Sequence, residues 1–469
     1  MGRKVFISFL GSSFYGECAY HYEEFTSSKT RFVQRATIEW IMREAKWTEE
    51  DKAIILVTDG DKGSKVNNWD KRFSTRVCWN SKTCQHEEVE YPHLERIISE
   101  MELPFAVTPI IVKEGKNEKE IWEIFKAIVR EVEDEDELYL DLTHGFRYLP
   151  MLLLVLGNYL KLLKKAQVKH LSYGNYEGLA DGVAPFVNLL PFSQLQDWTM
   201  AAKDFIKYGK VDELSDQLSV KTFKQKFKND SDEVSAAYGI DAKLKGLSSF
   251  ITYNRLDNIK AGMDITKEMD ILERERNILP EPFFPLLGEI KEKVSIFKQD
   301  TLENVFAATS WCIQHEMYQN AYSILLEGVI SILLERVSIP YKVEGNDSKF
   351  VEECRDVVTY VADAKSPKKD RSGNIIETAL LECVRAYTCR LEGKEDEIKK
   401  IIEKIWEYMD VDLASRISTL SKKRNAYMHA GTGTNSLGKD KGIIDMIRKS
   451  HEELYEKLYP KNEKGTPPC

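Results

Sequence analysis

Residues 138–163 read LYLDLTHGFRYLPMLLLVLGNYLKLL. Leu138–Leu142 is a short apolar run of the size of a buried strand, and from Arg147 to Lys164 the pattern turns helical. Pro150 fits a first helical turn, which places the helix start close to Gly145–Arg147. Between strand and helix lie Thr143, His144 and Gly145. Free backbone N–H groups at such a helix mouth favour anions, and a glycine there lets a ligand approach the chain closely. The plainer reading makes Thr143 a helix cap and His144 a loop histidine. The run Leu149–Leu160 is too short to cross a bilayer and is interrupted by Asn158.

The same alternation extends outward from this stretch. Apolar runs recur at Val5–Leu10, Ile54–Val57, Ala106–Val112, Val168–Tyr173 and Phe186–Leu190, with helical patterns at Arg31–Glu44 and Ile121–Val132. Continuous apolar strands separated by helices predict an α/β domain, a mostly parallel sheet covered on both faces. In such sheets ligands bind beyond the carboxyl ends of the strands. That singles out Gly11-Ser12-Ser13, Thr58-Asp59-Gly60 and Thr143-His144-Gly145.

After Pro191 the pattern is helical, at Gln196–Tyr208, Ile290–Lys298, Leu302–Val337, Asn374–Leu391 and Glu395–Tyr408. Ser338–Asp347 and Lys365–Gly373 read as solvated loops, and Lys461–Cys469 as a mobile tail. The expected division is an α/β domain over 1–192, a helical connector over 193–300 and an all-α domain over 301–469.

The chain has 469 residues, with 67 Lys and Arg against 76 Asp and Glu, a net charge of −9. A coat protein that binds nucleic acid by neutralising phosphates would lean basic, so that class is excluded, while a local RNA site is not. The 8 cysteines contain no CxxC and read as reduced thiols. The N-terminus MGRKVFISFLGSS lacks the apolar stretch and cleavage site of a signal peptide. A cytoplasmic protein without membrane spans or a metal centre is expected. His86 and His93, placed in a loop, make a poor metal pair, and His315 reads as a helix-surface or interface residue.

A second constellation is Arg424-Asn425-Ala426-Tyr427-Met428-His429, on a helical stretch that ends at Gly431. Five residues apart, Arg424 and His429 are separated by about 140° on a straight helix, whereas Asn425 and His429 share a face. Two copies related by a two-fold axis would bring both pairs to one cleft. The plainer reading is a basic helix C-terminus with His429 complementing the dipole. Glu327, on another helix, is either a polar brace for this helix or simply exposed.

FLGSSFYGECAYHY after the first strand, TDGDKGSKVNNW after the second and DLTHGFR at 141–147 resemble the DxTHG-type CARF domains of CRISPR-associated proteins that pair CARF with HEPN. RNAYMH resembles the HEPN ribonuclease signature R-x(4–6)-H. The resemblance implies a Rossmann-like CARF domain that binds cyclic oligoadenylate across a homodimer and switches on an all-α HEPN ribonuclease in type III CRISPR antiviral defence. The positions it matches for the ligand are Gly11, Ser12, Ser13, Thr58, Asn68, Thr143, His144 and Gly145, with Tyr15 and Trp69 available for stacking. It implies catalysis by Arg424, Asn425 and His429 on single-stranded RNA, without a metal cofactor. The RNA 2′-OH would attack its own phosphate, leaving a 2′,3′-cyclic phosphate and a 5′-OH. The activator would be a cyclic tetra- or hexa-adenylate. Two alternatives stay open: a sensor whose HEPN domain is structural, and a CARF domain that also cleaves its activator through Thr143 or Ser12.

Overall fold

The computed structural model describes residues 2–60, 62–70, 72–80, 85–144, 149–219, 232–274, 281–339, 348–369, 372, 375–376, 378–388, 395–428 and 440–460. They divide into two compact units, Met1–Gln196 and Asp197–Cys469.

The strands of the first unit are β1 (Lys4–Phe9), β2 (Ala19–Tyr22), β3 (Phe25–Thr26), β4 (Lys52–Thr58) and β5 (Phe73–Asn80). They continue with β6 (Gln85–Pro92), β7 (Ala106–Val112), β8 (Glu137–Asp141), β9 (Gln167–Gly174) and β10 (Val183–Asn188). Eight of them form one sheet in the order β3-β2-β10-β9-β8-β1-β4-β7. The five strands from β9 to the β7 edge are parallel, β10 joins β9 antiparallel, and β2–β3 close the opposite edge. The chain moves outward from β1 to β4 and β7, then returns to place β8 on the other side of β1. This reversal opens a crevice beyond the ends of β1 and β8, the usual ligand position in open α/β sheets.

Side-chain alternation builds two apolar layers. Val5, Ile7 and Phe9 of β1 face one way and pack with Ile124 and Ile128 of α4 (Glu118–Glu131) and Leu153 and Leu156 of α5 (Leu149–Lys164). Phe6 faces the other way, toward Ile38 and Ile41 of α1 (Val33–Glu44) and Leu94 and Ile97 of α3 (Leu94–Ser99). The short α2 (Ser64–Asn67) follows β4. Each such side chain, fully buried, contributes about 1.5–3 kcal/mol.

The expected parallel sheet is present, with additions. β5 and β6 pair as a separate antiparallel ribbon, so His86 lies on a strand, not in a loop, and β2–β3 extend the sheet edge. Trp69 is buried in the layer with α1 and α3, which removes it as a stacking surface. His93 is also internal: Nδ1 lies 2.9 Å from Asp70 Oδ1 and Nε2 2.8 Å from Ser74 Oγ, fixing the base of the ribbon.

The second unit is mainly helical. α6 (Leu190–Tyr208) begins before the division, and α7 (Asp212–Leu218), α8 (Asp232–Thr252), α9 (Leu256–Ala261), α10 (Thr266–Arg274) and α11 (Phe284–Val294) follow. Then come α12 (Asn304–Gln314), α13 (Tyr318–Arg336), α14 (Ser348–Lys365), α15 (Leu380–Thr388), α16 (Glu395–Tyr408), α17 (Val411–Met428) and α18 (Asp440–Leu458). α13 is buried almost all round, as befits a central helix. A Cβ at Gly328 would meet the Val305 side chain at 2.1 Å, so glycine is what lets α12 and α13 touch.

Two expectations are corrected by the helical unit. Leu302–Val337 is two helices, broken at His315–Met317, where Glu316 takes φ 61°. Asn374–Leu391 begins with a strand, Ile375–Ile376, which pairs with Lys368–Lys369 from the supposed loop, and helix starts only at Leu380. Of the two readings of His315, the interface is the one found: its ring lies between the Trp311 and Ile206 carbonyl oxygens of two helices.

Candidate ligand and nuclease sites

Asp141 ends β8 with its carboxylate fully buried. Ser8 Oγ donates to Oδ2 at 2.7 Å, while the Thr143 backbone N–H (3.0 Å) and hydroxyl both donate to Oδ1. The Thr143 hydroxyl in turn accepts from the Gly174 N–H at 2.8 Å. One carboxylate thus ties β1 to β8, and one hydroxyl ties the loop after β8 to β9. Buried charge of this kind requires such donors. Gln34, on α1, completes the network by donating to Ser8 Oγ and Phe9 O.

The turn that Asp141 and Thr143 set directs His144 under the loop after β1. Its ring is buried, and a Cβ on Gly11 would come within 3.1 Å of it. Any larger residue at position 11 would press on the His144 ring, so glycine suits this close approach. The Tyr15 ring lies 5.1 Å from that of His144, and Tyr176 5.0 Å from Tyr15. Burial pushes His144 below its ordinary pKa, against the opposing charge of Asp141, so the imidazole is neutral near pH 7.

Asn68 is buried and braces the same loop, donating to Gly11 O at 2.6 Å and Ser13 O at 3.0 Å. Its Oδ1 accepts from Arg31 Nη2 at 2.8 Å. Thr58 is also internal: it exchanges hydrogen bonds with Ser64 and pins the turn that leads into α2. Ser12 and Ser13 are exposed, while Gly145 lies outside the described residues. The structure therefore brings Gly11, Ser13, Asn68, Thr143 and His144 to one crevice, and assigns most of their polar atoms to shaping it.

Sequence reasoning missed Arg31. It is 3% exposed, its guanidinium lies 4.0 Å over the Phe14 ring, and Nε and Nη1 have no partner among the described residues. Burial, with nearby Arg76, pushes its pKa down to about 10. A buried cation with two unused donors, directly under the loop after β1, is a ready anion contact. No sequence pattern marks it, because its burial comes from Phe14 and from the β5–β6 ribbon, whose Tyr91 packs on Phe14 at 5.1 Å.

In the second unit, Arg424 and Asn425 lie on α17, and His429 falls outside the described residues. Arg424 Nη2 is 3.6 Å from Glu327 Oε1 on α13, and Nη1 donates to Asn425 Oδ1 at 3.3 Å. Glu327 Oε2 also accepts from Arg355 Nη2 at 2.6 Å. Of the two readings of Glu327, the polar brace is the one found. It is shared between α14 and α17.

Residues 5–177 match the model of the CARF domain of the CRISPR system endoribonuclease Csx1. The first unit is thus similar to a CARF domain of the CRISPR-associated type. Residues 194–299 match the second domain of the CRISPR-associated protein MJ1674. That protein, from Methanocaldococcus jannaschii, is 25% identical over 234 residues, covering 49% of this chain and 34% of the relative. The alignment thus spans about a third of the relative's length. Among solved structures, Enterococcus italicus Csm6 bound to cyclic hexa-2′-fluoro-hexa-dAMP aligns over 99% of this chain and 96% of the other, at 10% identity and a TM-score of 0.42. Among the described residues, no helix is long and apolar enough to cross a membrane.

Proposed function

We propose that this protein is a single-stranded RNA endoribonuclease of type III CRISPR defence, activated by cyclic oligoadenylate bound at the CARF crevice. The observation that carries the reading is the crevice beyond β1 and β8, where Gly11 rests on His144 and is tied through Asn68 to a buried Arg31, two of whose donors have no partner among the described residues. Such a floor suits a ligand with phosphates for the guanidinium and for backbone N–H groups, and with bases to lie against Tyr15.

A two-fold symmetric ring needs a two-fold protein. α5 offers a surface for one: Met151, Val155, Tyr159 and Leu162 form an exposed apolar stripe on it, with Leu162 88% exposed. Solvated apolar stripes of this kind are typical of association surfaces.

For cleavage the chemistry asks little of the protein, because RNA carries its nucleophile beside the scissile phosphate. Arg424 stays cationic and pairs with a phosphoryl oxygen, and His429 moves the proton, its unperturbed pKa of about 6.5 being close to working pH. Asn425 orients one of them.

A fluorescent single-stranded RNA, incubated with the full chain in EDTA and cyclic tri-, tetra- or hexa-adenylate, tests the proposal. Cleavage with one ring, leaving 2′,3′-cyclic phosphate ends, is expected, and its loss in Arg424→Ala/His429→Ala with ligand binding retained. No cleavage with any ring overturns it.

A further inference from the structure

α14, α15 and α17 enclose an open cavity of about 460 Å³, within the ~300–1,000 Å³ typical of small-ligand sites. Two of its walls are aromatic: the Tyr360 and Tyr387 rings meet edge-on at 4.8 Å. The rest of the lining is polar, and its two carboxylates differ in kind. Asp363 is fully engaged by Lys422 at 2.8 Å, Lys368 at 3.0 Å and Ser418 Oγ at 3.0 Å, which hold its carboxyl down at about 2. Asp356, at the other end, is pushed upward by burial and by the charges of Glu352 and Glu327.

Two relations connect the cavity to the proposed nuclease groups. Glu327, whose charge acts on Asp356, is the carboxylate that holds Arg424. Along α17, Ser418, Lys422 and Asn425 recur at the helical spacing of one face, so the wall of the cavity leads to Asn425. A phosphate would meet carboxylates here, whereas a base would meet rings to lie against and an oxygen acceptor for its edge. Stacking on tyrosine and hydrogen bonding to exposed base edges is how single-stranded RNA is read.

We propose that this cavity is a base-selective subsite: it seats the nucleobase next to the phosphate held by Arg424, and Asp356 selects bases that carry an amino group. The proposal rests on the ribonuclease reading above. A carboxylate accepts from cytosine N4 and, by the same geometry, from adenine N6 or guanine N2, while uracil presents no amino group. Uridine is thus the disfavoured base at this position.

The test uses the full chain and has two arms. In the first, cleavage sites are mapped on a mixed-sequence RNA with the activating ring. Wild type should cut least beside uridine, Asp356→Asn should raise uridine cutting toward the other bases, and Tyr360→Leu should raise KM about tenfold, with Tyr360→Phe restoring it. An unchanged site distribution in Asp356→Asn, with cleavage still dependent on Arg424, overturns the subsite and leaves the ribonuclease standing. In the second arm, 2′-O-methyl oligoadenylate and oligouridylate, which lack the attacking hydroxyl, are compared by fluorescence anisotropy. Tighter binding of the adenine oligomer by wild type, lost in Asp356→Asn, supports the subsite even where no cleavage occurs. Equal binding by wild type overturns it whatever the catalytic outcome.

Discussion

Arg31 is hydrogen-bonded to the loop after β1 through Asn68: its Nη2 donates to Asn68 Oδ1 at 2.8 Å, and Asn68 passes the restraint to Gly11 O and Ser13 O. The remaining donors, Nε and Nη1, are buried without partners among the described residues. A cation left this way costs stability, and replacing it by an apolar side chain of similar length is often neutral or stabilising. If the donors serve an anionic ligand, function and stability must separate. Arg31→Met should lower affinity for cyclic oligoadenylate at least tenfold while the thermal midpoint stays level or rises. Calorimetric titration and thermal unfolding check this, and equal affinity in the variant would remove Arg31 from the ligand site.

Thr143 sits between two buried partners, donating to Asp141 and accepting from Gly174 N–H. Thr143→Val keeps the shape and the backbone N–H bond to Asp141, but takes the hydroxyl donor from that carboxylate and strands the Gly174 N–H, at a cost of about 1–3 kcal/mol for the group left unsatisfied. Thr143→Ser keeps the hydroxyl and should lose far less. Urea unfolding of the two variants should rank them in that order.

The parallel strands were legible because strands covered on both faces read as continuous apolar runs, and the crevice followed from where those runs end. The β5–β6 ribbon was not, because neither of its faces is buried in a core. Its sequence holds only a short alternation, Phe73, Val77 and Trp79 in one strand and Val89 and Tyr91 in the other, interrupted by Arg76, Glu88 and Glu90, with no continuous apolar run of the kind that marks the central strands. The break at Glu316 was hidden for the opposite reason: helices on both sides are apolar enough that the pattern runs on through the left-handed residue. Gly11, Thr143 and His144 could be picked out by position after a strand. Arg31 could not, since what distinguishes it is burial contributed by distant residues. Trp69 was misassigned on the same ground, as an aromatic in a polar loop that the fold turns inward.

His144 links stability to pH. Its folded pKa lies below the ordinary value, so as pH falls through about 6.5 the unfolded chain takes up a proton that the native state does not. Stability from this residue is complete above pH 7 and declines below about 6.5. His144→Gln should flatten the decline in urea midpoints between pH 7.5 and 5.5. A variant with the wild-type slope would show that the linkage lies elsewhere.

Glu327 holds two arginines, Arg355 at 2.6 Å and Arg424 at 3.6 Å. Both pairs are partly exposed, so their loss costs on the order of 1 kcal/mol after solvent screening. The larger effect should be on catalysis, because a phosphate-pairing arginine works only when held in register. Glu327→Gln is expected to lower kcat for RNA cleavage about tenfold with ring binding unchanged. Wild-type kcat in this variant would make the brace purely structural.

The apolar stripe on α5 recurs at positions 151, 155, 159 and 162, the spacing of one helix face, while Leu153, Leu156 and Leu160 fill the opposite face against the sheet. The helix is thus apolar on two sides, and only one is needed for the fold. A charge placed on the outer side should leave the monomer intact and break association, since a buried unpaired carboxylate at an interface is strongly unfavourable. Val155→Glu with Leu162→Glu should shift the sedimentation coefficient from dimer to monomer and abolish ring-dependent RNA cleavage, with far-UV dichroism unchanged. Retained dimerisation would move the two-fold axis away from α5.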